Sequence, residues 1–143
     1  MKRKLTIVAA IALFTSSAWA GLYEPAPFEL DLEIRQAFGD MTSVANSNSD
    51  AEFIGCGTRS FDVGGGTFRL GFCQAQDADG TFVQCFTESP ALLGEIDSLS
   101  DRAFITFSWD EDGNCTAVGN STQSFYLTKI KPATPNKGKD DEE

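Results

Sequence analysis

Four cysteines set the strongest constraint on this chain, because the turn signals between them fix which of them face one another. Gly64-Gly65-Gly66 separates two strand-like runs, 52–61 and 67–75. A hairpin folded symmetrically on that loop pairs residues whose numbers add to 129, as those of Cys56 and Cys73 do. The next turn, Asp77-Ala78-Asp79-Gly80, changes the sum to 158, which Cys73 and Cys85 satisfy. Three cysteines therefore share one row across three strands. Facing residues there stand about 4.5–5.5 Å apart at Cα, a span that a disulfide bridges. Cys73 can reach either neighbour. The favoured pairing is Cys56 with Cys73 and Cys85 with Cys115; the rival, Cys56 with Cys85 and Cys73 with Cys115, needs a bridge that skips a strand.

Disulfides require an oxidising compartment, and the N-terminus supplies a route to one. Lys2, Arg3 and Lys4 precede the apolar run Leu5 to Phe14, and small residues follow, ending in Ala18-Trp19-Ala20. This three-part layout is that of a secretory signal peptide over residues 1–20. Its apolar run is far short of the roughly 20 residues that a spanning helix needs. No cysteine follows the leader directly and no apolar tail ends the chain, so no lipid anchor is expected. The expected location is secreted or periplasmic.

The leader carries three of the 11 basic residues and none of the 21 acidic ones, so the exported part holds eight against 21, a net charge of −13. Such a charge repels phosphate backbones, and nucleic acid is an unsuitable partner. It steers the protein instead toward a basic protein surface. The chain has no histidine, which removes the Ser-His-Asp triad, the Cys-His dyad and imidazole metal sites. The cysteines lack the close C-x-x-C spacing of zinc sites and redox catalysts.

The pattern along the chain reads as a single β-rich domain over 21–128, followed by a charged tail, 129–143, too polar to bury anything. Phe28, Leu30, Leu32 and Ile34 alternate with charged residues, predicting a strand, although Leu30, Ile34, Ala37 and Met41 also fit a helical period. Phe68, Leu70 and Phe72 share one face of their strand, as do Phe82 and Phe86 on the next, with Cys73 and Cys85 on the other. Apolar material on both faces predicts a sheet covered on both sides. Ser89-Pro90, with Leu92, Leu93, Ile96 and Leu99 behind it, predicts one helix. Ile105, Phe107 and Trp109 predict a further strand, with Trp109 as a core residue; Glu111-Asp112-Gly113-Asn114 turns it into a last run ending at Phe125-Tyr126-Leu127. The expected fold is mainly β with one short α-helix, an antiparallel sandwich or small barrel stabilised by disulfides. The order of three strands, a helix and two strands is also that of the OB-fold.

Two turns carry candidate chemistry. Asp77-Ala78-Asp79-Gly80 and Asp110-Glu111-Asp112-Gly113-Asn114 both contain D-x-D-G, and Asp77, Asp79, Asp110 and Asp112 are the candidate ligands for calcium. The glycine comes at the fourth position where an EF-hand has it at the sixth, no distal glutamate follows, and D-G is itself a common hairpin turn. Asp110 and Glu111 also admit a carboxylate-hydrolase reading, but neither lies in an apolar stretch that would raise its pKa. With no catalytic residue and no obligatory cofactor, the sequence points to a small exported binding, inhibitory or structural module rather than an enzyme. A calcium-dependent binding domain and a histidine-free carboxylate hydrolase are the alternatives.

Overall fold

The computed structural model describes residues 22–127. The expected leader and charged tail lie outside the described residues. Seven strands run in chain order: β1 Glu29–Asp31, β2 Gln36–Asp40, β3 Phe53–Asp62, β4 Thr67–Gln76, β5 Phe82–Thr87, β6 Phe104–Trp109 and β7 Cys115–Ser121. Helix α1, Met41–Ala45, follows β2, helix α2, Pro90–Asp97, follows β5, and a 3-10 turn covers Ser124–Tyr126. The strands form two antiparallel sheets, β1-β2-β6-β7 and β3-β4-β5, and neither closes into a barrel. The sandwich alternative is thus the one adopted.

The three-stranded sheet has the expected register: Cys56 faces Cys73 and Cys73 faces Cys85. Cys56–Cys73 and Cys85–Cys115 are the two disulfides, separated by 17 and 30 residues. Between β3 and β4 the chain reverses at Gly64, whose φ of +73° favours glycine, and Asp62 accepts the Gly64 N–H at 3.1 Å. The second disulfide is the covalent tie between the sheets, since Cys85 lies in β5 and Cys115 opens β7.

The core lies between the sheets. Ile54, Cys73, Ala75 and Cys85 from one meet Ala37, Ile105 and Phe107 from the other, with Val44 of α1 and Ile96 of α2 closing the ends. Helix α2 approaches the sheet at Gly71: a Cβ there would come within 2.9 Å of methyl groups of both Leu93 and Ile96. The same helix is tied to β7, because the Asn120 amide donates to Glu95 Oε1 and Ser98 Oγ, each at 2.8 Å.

Several sequence expectations are corrected. The strand read through Phe28 to Ile34 is only three residues long: Asp31 Oδ1 accepts the N–H groups of Glu33 and Ile34, at 2.9 and 3.0 Å, and turns the chain there. Leu32 and Ile34 are consequently exposed. The segment Met41–Ala45, too short to carry a period of its own, is helical because Asp40 caps it, accepting from Ser43 N at 2.6 Å. Ser89 holds the N-cap position of α2 but makes no side-chain capping bond; Thr87 Oγ1 accepts its N–H instead. The last run ends as a strand at Ser121, and Phe125-Tyr126 form a 3-10 turn whose Tyr126 stacks on Phe104. The expectation of a three-stranded sheet covered on both sides also fails among the described residues. The second sheet and both helices pack on its cystine face, leaving the aromatic face open.

Candidate binding face and acidic turns

Alternation along each strand follows from the cystine row. With Cys56, Cys73 and Cys85 pointing inward, the register puts 53, 55, 57, 59 and 61 of β3, 68, 70, 72, 74 and 76 of β4, and 82, 84 and 86 of β5 on the outer face. Six of these thirteen positions are phenylalanine, three are glutamine, one is Leu70, two are glycine and one is Arg59; none is acidic. In a chain with 21 acidic residues this face is a charge-poor island. Phe53, Phe61, Phe68, Phe82 and Phe86 are between 37% and 49% exposed.

Cross-strand pairing organises the rings. Phe53 meets Phe82 at 6.2 Å between centroids, and Phe61 stacks on Phe68 at 6.0 Å. Phe72 lies over Gly57, where a Cβ would meet its ring at 3.0 Å, and Arg59 covers the Phe72 ring at 4.9 Å. Between the Phe53–Phe82 pair and the Phe72–Phe86 row runs a lower band made of Gly55, Gln74 and Gln84. Beyond the β5 edge the face borders a cleft of about 440 Å³ lined by Phe82, Gln84, Trp109, Arg35 and Glu111. Trp109 is half-buried: it packs on Phe107 at 5.7 Å and also lines this cleft, so the core expectation holds for one side of the ring. Arg35 has φ of +52°. Its carbonyl accepts Trp109 N at 3.2 Å and its guanidinium donates to Glu111 Oε1 at 2.6 Å.

The two D-x-D-G turns have one geometry. Asp77 Oδ1 accepts the N–H of Asp79 at 3.0 Å and of Thr81 at 2.8 Å. Asp110 Oδ1 accepts those of Asp112 at 3.0 Å and Asn114 at 2.8 Å, and the Asn114 amide adds a bond to Oδ2 at 2.9 Å. Gly80 and Gly113 follow with φ of +87° and +79°. These are hairpin loops closed by a left-handed glycine. Hydrogen bonding from Thr81 N holds Asp77 below the usual carboxylate range, and bonding from the side chain and N–H of Asn114 does the same for Asp110. A general acid needs the opposite shift. Asp79 and Asp112 are exposed and enter the turns through their backbone N–H groups. Among the described residues the one group of three metal-ligating types with ligand atoms within 4.8 Å of each other is Cys73, Cys85 and Cys115, all of them in disulfides.

No protein-family model, curated protein or solved structure matches the chain. Two disulfides, and no helix among the described residues long and apolar enough to cross a membrane, fit an oxidising environment.

Proposed function

We propose that the protein is an exported, disulfide-braced module that acts by binding rather than turnover, and that its ligand docks on the outer face of β3-β4-β5. One observation carries this reading: thirteen outward positions hold six phenylalanines and no acid, in a chain whose remaining surface is strongly acidic. Exposed aromatic surface of this extent marks an interaction site, since it costs solubility and contributes nothing to the core beneath it. The glutamines along the middle of the face offer donors and acceptors for orientation, while the rings supply contact area at little entropic cost. The acidic turns Asp77–Gly80 and Asp110–Asn114 give long-range attraction toward a basic partner surface. Their ordered hydrogen bonding favours turn chemistry over calcium ligation, and the lowered pKa of Asp110 speaks against the hydrolase reading.

The test is capture of ligands from the native surroundings by the oxidised protein and by a Phe82→Gln/Phe86→Gln variant. Both rings lie on the outer face and outside the core cluster, so the substitutions leave the packing between the sheets in place. Ligands captured equally by both proteins would place binding elsewhere, and substrate turnover abolished by Asp110→Asn or Glu111→Gln would replace this reading with a catalytic one.

A further inference from the structure

The two disulfides are neighbours. Sγ atoms of Cys73, Cys85 and Cys115 all lie within 4.8 Å of one another, so a sulfur of the first bridge stands beside both sulfurs of the second. Access to the group is one-sided. Cys73 and Cys85 are fully buried and Cys115 is 7% exposed, whereas Cys56 is only partly buried and lines a cleft of about 300 Å³ with Met41, Thr58, Ile96 and Leu99.

We propose that Cys56 is a thiol-accepting modification site whose occupation is relayed through Cys73 to Cys85, releasing Cys115. An external thiolate enters the cleft and attacks Cys56 Sγ; the Cys56–Cys73 bond breaks and its electron pair leaves on Cys73 Sγ. The new thiolate is buried, an environment that disfavours its charge, and a disulfide lies within its reach. It attacks Cys85, the residue directly opposite it in the register, at a separation that a disulfide spans without backbone movement. The Cys85–Cys115 bond breaks, its electron pair leaves on Cys115 Sγ, and that sulfur takes up the proton given by the incoming thiol. Two disulfides and one thiol enter and the same number leave, so no oxidant or reductant is required beyond the attacking thiol.

The exchange has a structural consequence. Cys73–Cys85 ties β4 to β5 within one sheet, whereas the bond it replaces ties β5 to β7 and so joins the two sheets. Addition of a thiol at Cys56 thus removes the covalent link between the layers without lowering the number of disulfides. The modification is stoichiometric and does not depend on the binding reading above.

The experiment uses the oxidised protein, glutathione as the thiol probe, rapid alkylation, and non-reducing peptide mapping at early times under folding conditions. The expected map has glutathione on Cys56, a Cys73–Cys85 bridge and the alkyl group on Cys115. In a Cys85→Ala/Cys115→Ala variant the alkyl group moves to Cys73. Thiolated molecules that keep Cys85–Cys115 intact and carry the alkyl group on Cys73 would overturn the relay. Glutathione appearing first on Cys85 or Cys115, or no addition to the folded protein, would overturn Cys56 as the site.

Discussion

Asp40 grips Ala26, fourteen residues upstream: Oδ2 accepts the Ala26 N–H at 2.7 Å while the same carboxylate caps α1 through Ser43 N and Ser43 Oγ. The Ala26 carbonyl closes the ring by accepting Asp40 N at 2.8 Å. This carboxylate is fully buried and has every contact supplied by neutral donors. Asp40→Ala leaves those donors unpaired and is expected to cost about 3 kcal/mol, combining a lost cap with lost charge-assisted hydrogen bonds. Urea unfolding of both proteins measures it; a loss under about 1 kcal/mol would mean that water replaces the carboxylate.

The disulfides make separate contributions. In the chain-entropy account, removing Cys56–Cys73 as a double alanine variant costs about 3 kcal/mol, and removing Cys85–Cys115, which closes the longer loop, costs about 3.5 kcal/mol before the cavity left by its buried sulfurs is added. Melting temperatures of the two variants should rank in that order. The opposite ranking would show that unfolded-chain entropy does not govern here.

Acid sensitivity follows from three carboxylates. Asp77 and Asp110 are lowered by their turn hydrogen bonds, and Asp97 by its hydrogen bond from Arg69, all from an ordinary value of 3.8. A depressed folded value means that the stabilisation is complete above 3.8 and is lost as pH falls through the lowered values. Unfolding free energy should therefore decline on acidification below about pH 4, less steeply in Asp77→Asn and Asp110→Asn. Carboxyl NMR titration reads the same shifts directly.

Arg35 is the one non-glycine among the described residues with positive φ. Its ion pair with Glu111 is solvent-exposed and contributes about 0–1 kcal/mol. Glycine relieves the backbone cost where alanine does not, so Arg35→Gly should exceed Arg35→Ala in stability by about 1 kcal/mol. Equal stabilities would show that the turn tolerates a side chain freely.

How much was legible in the sequence depended on what kind of signal each element leaves. The cystine row was readable because strand pairing is arithmetic about a turn, and Gly64–Gly66 and Asp77–Gly80 mark the turns. Helix α2 was readable from Pro90 and four apolar residues at helical spacing. Helix α1 was not: five residues are too few to display a period, and its cap, Asp40, is also the last residue of a strand. Leu32 and Ile34 alternate as a strand should, yet the Asp31 side chain competes for the backbone N–H groups of Glu33 and Ile34 and wins. The aromatic face exposes a more general gap. Alternation places Phe68, Phe72, Phe82 and Phe86 on a common side, but whether a second layer covers that side depends on where distant elements pack. The cystine face drew all of them, because Gly71, Cys73 and Ala75 leave room for a helix and a second sheet to come close.

The shared row of Cys56, Cys73 and Cys85 also makes the order of bond closure matter. A chain emerging N-terminus first presents these three cysteines before Cys115, which lies beyond helix α2 and strand β6. During that interval Cys73 has two facing neighbours of equal eligibility in the register. Capture by Cys56 keeps Cys85 in reserve for a partner not yet made, whereas capture by Cys85 strands the first and last cysteines on opposite sheets. The finished connectivity is the one in which Cys73 is held within the β3-β4 hairpin about its triple glycine, and Cys85 is left for Cys115.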